Sequence, residues 1–323
     1  MQSVLCDSVP VRMMPSMLRF RQLASLSAGM LPLLAASPAL AQDWDQVPTR
    51  GNGVLMQTHV PVPAFSSIRV QAPIDIVLSE GPTEGAEVHV DSNLASRVRL
   101  DVERGVLTVS MVGNSLNLHK RSRILLRTPS IEAIALESSA DMKVLRRRQK
   151  SADVKLTLSG SGDLDWEGGD GEKLDVVLSG SGDLDLKGNF RTANITVSGS
   201  GDLEAKGFRV REGVQVSVQG SGDVTLEGGA QSLNANLTGS GDLSVKGMCG
   251  DTLRAVLSGS GDLDADDFRC KAAFVTTQGS GDADVVVVSG GRLVLEAHGS
   301  GTVDWSDGSQ SGTVGGQHRS FRR

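Results

Sequence analysis

One tetrapeptide constrains the fold of this chain more than any other feature. Gly-Ser-Gly-Asp occurs seven times between residues 160 and 282, and successive aspartates are 19 to 21 residues apart. An eighth unit, Gly-Ser-Gly-Thr, ends at Thr302, 20 residues after the last aspartate. A fixed period of this size is typical of stacked repeats, in which each unit buries its apolar side against its neighbours. The sequence therefore predicts a repeat architecture.

The residues on either side of each tetrapeptide alternate between apolar and polar types. In one unit, Leu174, Val176 and Leu178 precede the glycines, and Leu184 and Leu186 follow them. Alternation with a period of two predicts two short strands, each with one buried face. We therefore predict an all-β fold, a parallel β-helix in the form of a two-sided β-solenoid. Each coil has about 20 residues, enough at ~3.3 Å per residue for two strands and two corners.

The Gly-Ser-Gly segments are predicted to form one corner of each coil. Glycine takes positive φ without steric cost, so two glycines allow a sharp reversal. The aspartate that follows is predicted to accept hydrogen bonds from free N–H groups of its own turn. The predicted turn residues are Gly160, Gly162, Asp163, Gly180, Gly182, Asp183, Gly199, Gly201, Asp202, Gly220, Gly222, Asp223, Gly239, Gly241, Asp242, Gly259, Gly261, Asp262, Gly279, Gly281 and Asp282. The second corner is looser, and its large side chains are predicted to stack as a column of Phe190, Phe208, Met248 and Phe268.

Residues 1–41 are typical of a secretory signal peptide. A basic segment at residues 17–21 precedes an apolar run at residues 23–40, and Ala39 and Ala41 form the small-residue cleavage pattern. We predict cleavage after Ala41, which makes the chain an exported protein of the periplasm or of the cell surface and extracellular space. No segment after Ala41 has the about 20 apolar residues of a membrane-spanning helix, so no membrane span is expected after cleavage.

The rest of the chain divides into four segments. Residues 42–59 are predicted to be a polar lead-in. Residues 60–150 lack the glycine turns but keep strand-like runs, which predicts irregular coils of the same solenoid or, failing that, a small separate β domain. Residues 151–305 form the regular repeats. Residues 306–323 are rich in Gly, Ser, Gln and Arg and are predicted to be a flexible tail.

The charge of the repeats limits the partners. Residues 151–323 contain 15 Lys and Arg against 25 Asp and Glu. Nucleic acids are polyanions that are bound through basic surfaces, so a nucleic-acid partner is not expected. The expected partner is an envelope or surface ligand, either protein or polysaccharide, whose identity the sequence does not give.

Three parts of the chain carry a resemblance to a known family. Residues 65–78 (FSSIRVQAPIDIVL), residues 106–109 (VLTV) and the Gly-Ser-Gly-Asp series resemble the bacterial head GIN domain family of auto-transporter adhesins. The resemblance covers residues 60–305. It implies a parallel β-helix related in shape to the pectin lyases but without their catalytic residues, with adhesion as the assumed role.

Pairs of acidic residues follow several turns and share the outward face of a strand. Stacked on neighbouring coils, such carboxylates repel each other by about 1 kcal/mol even in water, and calcium would offset that repulsion. A calcium site is therefore the alternative to turn capping, at Asp163, Asp165, Asp183, Asp185, Asp262, Asp264, Asp282 and Asp284. Glycoside hydrolysis also uses two carboxylates, but a catalytic pair occupies one unique environment and these pairs recur. No phosphate loop, metal-ligand cluster or catalytic-triad spacing occurs, so neither a cofactor nor enzymatic activity is expected.

Two cysteines remain after the leader. Cys249 and Cys270 are 21 residues apart and occupy nearly equivalent places in neighbouring coils. The stacking brings them within the Cα separation that a disulfide needs, and an exported protein meets an oxidising compartment. We predict a Cys249–Cys270 bridge, with two buried thiols as the alternative.

The sequence thus favours an exported, non-catalytic β-solenoid that acts as a cell-envelope or adhesion-type binding scaffold. Two alternatives stay open. The first is a polysaccharide-active enzyme of pectin-lyase-like shape. The second is a calcium-stabilised structural envelope protein, whose exposed strand edges at the ends of the stack would allow self-association.

Overall fold

The computed structural model describes residues 50–113, 117–145, 150–315 and 319–323. The predicted signal peptide, its cleavage site and most of the lead-in lie outside the described residues. All strands of the described part belong to one sheet, and its helical structure is a single 3-10 turn at Ala95–Arg97. This part of the chain has no helix with the length and hydrophobicity needed to cross a bilayer.

The strands before the regular repeats are short. They are β1 (Leu55–Val60), β2 (Ser67–Val70), β3 (Asp75–Glu80), β4 (Gly85–Asp91), β5 (Val98–Glu103), β6 (Val106–Met111), β7 (Arg123–Thr128), β8 (Ala133–Leu136) and β9 (Met142–Leu145). The strands of the repeats are longer, because each runs through the second corner of its coil without a break. They are β10 (Lys150–Leu158), β11 (Leu164–Leu178), β12 (Leu184–Val197), β13 (Leu203–Val218), β14 (Val224–Leu237), β15 (Leu243–Leu257), β16 (Leu263–Thr277) and β17 (Ala283–Ala297).

The long strands pair in parallel, each with the strand one coil further on. Two columns of paired residues result. The front sheet contains the strand segments that precede each Gly-Ser-Gly turn, with Val176, Ile195 and Val216 in register. The back sheet contains the segments that follow it, with Leu184 and Leu203 in register. This arrangement confirms the predicted all-β parallel solenoid.

The interior between the two sheets is apolar, as the alternation predicts. In β12 every second residue of both segments is buried, and Trp166 and Trp305 lie inside at 2% and 8% exposure. Burial of each such side chain contributes about 1.5–3 kcal/mol relative to leaving it in water. The core therefore runs without interruption along the regular coils.

The column predicted for the second corner is confirmed only in part. Phe190, Phe208 and Phe268 are buried, and the rings of Phe190 and Phe208 lie 6.0 Å apart. Met248 is 81% exposed, because a register shift between β15 and β16 just before this residue pairs it with the exposed Arg269 and pairs Phe268 with Gly247. A small cavity of about 20 Å³ lies between Phe208 and Phe268, beside Gly228.

The N-terminal coils belong to the same sheet, but they do not follow chain order. The coil of β2 and β3 lies between the coil of β6 and β7 and the coil of β8 and β9. The middle coil therefore comes first in the sequence, and the two coils that flank it come later. Residues paired across these coils are 39, 48 or 66 residues apart, as Ser67 with Val106 and Ala133 and Asp75 with Arg123 show.

Antiparallel strands cover both ends of the stack. At the N-terminal end β5 pairs with β6 in the front sheet, and β4 pairs with β7 in the back sheet. The predicted lead-in contributes β1, which pairs with β4. At the C-terminal end β18 (Thr302–Ser306) pairs with β19 (Ser311–Gly315), and β20 (Arg319–Arg322) pairs with β17. The prediction of a flexible tail is therefore wrong for Ser311–Gly315 and Arg319–Arg322, because these residues pair with strands of the two sheets.

Side-chain contacts stabilise the C-terminal cap, which consists of β19 and β20. The rings of Trp305 and Phe321 stack with centroids 4.9 Å apart. Arg323 Nη1 donates to the buried Asp307 Oδ2 at 2.6 Å. Hydrogen bonds from the amides of Ser309 and Gln310 hold the pKa of Asp307 well below its usual range. The edge strands of the regular repeats are thus covered at this end.

Candidate functional site

The turn glycines are needed for close stacking and not for positive φ. The glycines with positive φ lie elsewhere, and none of the predicted turn glycines is among them. A Cβ on Gly180 would lie 1.9 Å from the carbonyl oxygen of Gly160 in the preceding coil, and one on Gly182 would lie 2.1 Å from that of Gly162. The other turn glycines, from Gly160 to Gly301, would make equivalent clashes at 1.8–2.1 Å. The prediction that these glycines make the turn through positive φ is wrong. They are needed because the backbones of neighbouring coils are in direct contact at the turn.

The turn aspartates form hydrogen bonds between coils. Asp163 Oδ1 accepts from the amide of Asp183 at 2.9 Å, and Asp183 Oδ1 accepts from the amide of Asp202 at 2.8 Å. The same bond recurs at each step through Asp223, Asp242, Asp262 and Asp282 to Thr302, at 2.7–2.8 Å. The prediction that each aspartate caps its own turn is therefore wrong. Each carboxylate caps the next coil.

This aspartate ladder, defined as Asp75, Asp141 and the seven turn aspartates, continues into the N-terminal coils. Asp75 Oδ1 accepts from the amide of Asp141 at 3.2 Å, and Asp141 Oδ1 accepts from that of Asp163 at 3.1 Å. Asp75 is 66 residues from Asp141. The ladder therefore joins coils that are far apart in the sequence.

The second acidic column lies on the back sheet beside the ladder. Lys143 Nζ contacts Asp165 at 2.6 Å, and Lys206 Nζ contacts Glu204 at 2.5 Å. Burial and the neighbouring Glu204 and Asp165 raise the pKa of Asp185. The column is thus partly neutralised by lysines on β9 and β13.

The same column carries more repulsion near the C-terminal coils. Burial raises the pKa of Asp284, and Asp304 and Asp264 add to the effect. Burial and Asp264 likewise raise the pKa of Asp266. Excess negative charge therefore lies on the back sheet around these coils.

The described residues contain no group of three or more acidic, histidine or cysteine side chains arranged to hold a metal ion. The ladder carboxylates that the calcium alternative invokes each use one oxygen for the next amide, as Asp163 does for Asp183. The calcium alternative stays a prediction. Thermal unfolding with calcium and with chelator tests it, and an unchanged Tm ends it.

The predicted disulfide is present. Cys249 and Cys270 are bonded, with their Cα atoms 4.8 Å apart. The bond joins neighbouring coils at the second corner, where Cys270 is fully buried. Cys249 follows the exposed Met248 in the sequence, and Cys270 lies two residues after the buried Phe268.

The front sheet carries the feature that sequence reasoning missed. A groove of about 360 Å³ crosses its outward face on β12 to β15. The front groove is defined by the outward side chains that line it, which are Asn194, Thr196, Gln215, Ser217, Asn234, Asn236, Arg254 and Val256. None of them is acidic, histidine or cysteine. A signal existed in the sequence, because the outward position changes from Lys155 and Asp175 to uncharged amides at the next three coils.

An aromatic side chain lies at the C-terminal end of the front groove. The guanidinium carbon of Arg254 lies 4.3 Å from the ring centroid of Phe274, and that of Arg292 lies 5.3 Å from it. Cations over an aromatic ring are attracted to its negative face. These contacts hold the half-buried Phe274 ring on the outward face.

The histidines of the described residues lie away from this groove. His89 Nε2 is bonded to Glu87 Oε1 on β4, near the N-terminal end of the stack. His298 lies beside a turn, 3.7 Å from Glu296, and is 37% exposed. The groove lining therefore offers hydrogen bonding and apolar contact, but no acidic, histidine, lysine or cysteine side chain that could act as a general acid or base.

Comparisons with solved structures give the same architecture. A "putative adhesin" from Parabacteroides distasonis is similar at 21% identity and a TM-score of 0.62, over 74% of this chain and 98% of that one. "Putative adhesin" structures from Bacteroides fragilis and Parabacteroides merdae each show 17% identity and a TM-score of 0.56, over 80% of this chain and 100% and 99% of theirs. A search of the curated proteins found no match.

The family comparison covers most of the solenoid. The matching model is described as "Putative auto-transporter adhesin, head GIN domain", and it matches residues 64–249 and 211–308. These residues include the aspartate ladder, the disulfide and the front groove. The chain belongs to the head GIN domain family.

Proposed function

We propose that this chain is an exported, non-catalytic scaffold that binds an envelope or surface ligand. The front groove is the observation that carries the proposal. It presents uncharged hydrogen-bonding side chains on a backbone that parallel pairing fixes on both sides. Membership in an adhesin-type family and a disulfide typical of oxidising compartments support export and binding.

The groove favours binding over catalysis. A glycoside hydrolase needs two carboxyl groups beside the bond that it cleaves. The residues that line the front groove include no carboxylate. The neighbouring Asp175, one coil before Asn194 in the same column, accepts a hydrogen bond from the Asn194 amide and has no second carboxylate paired with it across the column. A polysaccharide-active enzyme is therefore the less supported alternative.

The antiparallel caps bear on the structural alternative. Uncovered strand edges at the ends of a stack invite pairing with another chain. Here β19 and β20 cover the coils at the C-terminal end, and β4 and β5 cover the coil of β6 and β7 at the N-terminal end. These caps support a protein that acts without end-to-end assembly.

The test is a binding assay with the exported chain purified from the producing cells. The labelled protein is added to isolated envelopes of cells that lack it, and retention and released reducing sugar are both measured. Saturable retention without released sugar is the expected result. Absence of saturable retention, or steady release of reducing sugar, contradicts the proposal. Protease treatment of intact cells then separates a surface location from a periplasmic one.

A further inference from the structure

We propose that the front groove binds an uncharged polysaccharide laid along the axis of the stack. The inference rests on the proposed binding function and adds the chemical class of the ligand. Its basis is the chemistry and spacing of the outward side chains on four neighbouring coils.

The groove consists of two columns in register. In the first column Asn194 pairs with Gln215, which pairs with Asn234, followed by Arg254. The second column, two residues further along each strand, contains Thr196, Ser217, Asn236 and Val256. Successive coils are about 4.8 Å apart, so polar groups recur at a short and constant interval. A ligand with repeated hydroxyl groups matches such an array.

The amides of the groove have free hydrogen-bonding capacity. The side chains of Gln215, Asn234 and Asn236 form no hydrogen bond with the rest of the described chain. Each carboxamide offers two donors and an acceptor, which complements a hydroxyl group that both donates and accepts. Asn194 differs, because its Nδ2 donates to Asp175 Oδ1 at 2.8 Å. That bond fixes the orientation of the first amide in the column.

The C-terminal end of the groove adds apolar surface. Val256 is 37% exposed, and Phe274 stands next in the first column with Arg254 and Arg292 over its ring. A pyranose ring has an apolar face of C–H groups that packs against such surfaces. The groove thus provides hydrogen bonds along its length and an apolar contact at one end.

Charge argues against an anionic ligand. The chain has a net charge of −6, and Arg254 is the one charged side chain that lines the groove. Polyanions are bound through several cations at once. An uncharged polymer avoids repulsion by the acidic back sheet and turn side.

The surface also differs from a protein-binding site. Stable protein interfaces bury about 800 Å² on each partner and have a core rich in aromatic and methionine side chains. The front groove has uncharged polar side chains at its centre and a half-buried ring only at its end. A polysaccharide is therefore favoured over a protein partner.

The experiment is native gel electrophoresis of the purified chain in gels that contain one polysaccharide each. The neutral probes are laminarin, dextran, mannan and galactan, and the acidic probe is polygalacturonate. The groove variant is Gln215→Ala with Asn234→Ala. The matched control is Thr225→Ala with Ser244→Ala, two outward residues in register on the back sheet.

The chain is expected to be retarded by at least one neutral probe. The groove variant should weaken that binding about tenfold or more, because two hydrogen bonds are lost, while the control variant should keep it. A second groove variant, Ser217→Arg, fills the groove without removing an amide and should also abolish retardation. Circular dichroism and thermal unfolding verify that each variant is folded.

Several results would overturn the inference. They are no retardation by any neutral probe, retardation by polygalacturonate alone, or equal loss in the groove and back-sheet variants. Cross-linking of an envelope protein to the groove would also overturn it. If envelopes retain the protein saturably and any of these results is obtained, only the polysaccharide ligand is rejected and the binding function stands. If saturable envelope retention is absent as well, the binding function is also rejected.

Discussion

The N-terminal coils and the regular coils make the same reversal with different residues. In the coil of β8 and β9, five residues join the front and back sheets, and they include Ser138 and Ala140. In the next coil five residues again make the connection, with Gly160 and Gly162 at those two places. A Cβ on Gly160 or Gly162 would lie 1.9 Å from the carbonyl oxygen of Ser138 or Ala140. The comparison shows that the reversal tolerates side chains, whereas close stacking on the preceding coil excludes them.

The largest expected effect comes from a side chain at a regular turn. Gly220→Ala would place Cβ 2.0 Å from the carbonyl oxygen of Gly199, and two hydrogen-bonded backbones cannot move apart cheaply. We expect a loss of about 3 kcal/mol or more in unfolding free energy, measured by denaturant unfolding.

The reverse change in an N-terminal coil is the matched control. Ala140→Gly removes a buried methyl group and increases the freedom of the unfolded chain, so we expect a loss of about 1 kcal/mol. If Gly220→Ala costs no more than Ala140→Gly, the stacking explanation is wrong.

The second prediction concerns the corner where the aromatic column is interrupted. Replacement of both Cys249 and Cys270 with alanine removes a cross-link between residues 21 apart. A loop of this length predicts a loss of about 3 kcal/mol. Reduction of the wild-type protein should lower Tm to the value of the double variant. A reduced protein as stable as the oxidised one would contradict this assignment.

The third prediction compares two substitutions in the aspartate ladder. Asp202→Ala leaves the amide of Asp223 without its acceptor and should cost about 1.5 kcal/mol. Asp202→Asn keeps an oxygen at the same place and should cost less. Equal losses for both variants would show that charge, and not the inter-coil bond, is the important property. The same pair of substitutions at Asp75 extends the test to the N-terminal coils.

The smallest expected effect is on the acidic back sheet. Folding raises the pKa of Asp284, so the folded chain binds this proton more tightly than the unfolded chain. Stability therefore falls as the pH rises from about 4 through the raised value. Asp284→Asn should raise Tm slightly at pH 7 and have little effect below pH 4, by calorimetry across that range. A stabilisation that persists in acid would contradict the repulsion.

Much of the regular fold could be predicted from the sequence, because period-two alternation and a constant step define both sheets and their register. The outward orientation of the Met248 side chain could not be predicted, since a local register shift reverses the alternation of buried and exposed residues there. The placement of β2 and β3 between later coils could not be predicted either, because their partners are 39 to 66 residues away in the sequence. The tail strands have few apolar residues, and their stability comes from pairing with exposed edges and from the Trp305–Phe321 stack.

The candidate site was harder to predict than the fold. The repeated aspartates suggest metal binding in the sequence, whereas in the structure their carboxylates accept hydrogen bonds from the amides of the next coil. The front groove is formed by ordinary residues such as Gln215 and Asn234, which become notable only when the coils place them side by side. Sequence spacing identifies such columns once the register is known.

The central claim is that the Gly-Ser-Gly-Asp turns join one coil to the next. Amide hydrogen exchange at Asp223 tests it most directly, because that amide donates to Asp202 Oδ1 at 2.8 Å on an exposed corner. We expect slow exchange of this amide in the wild-type protein and selective acceleration in Asp202→Ala, with the amides of distant coils unchanged. Fast exchange in the wild-type protein, or the same slow exchange in both proteins, would contradict it.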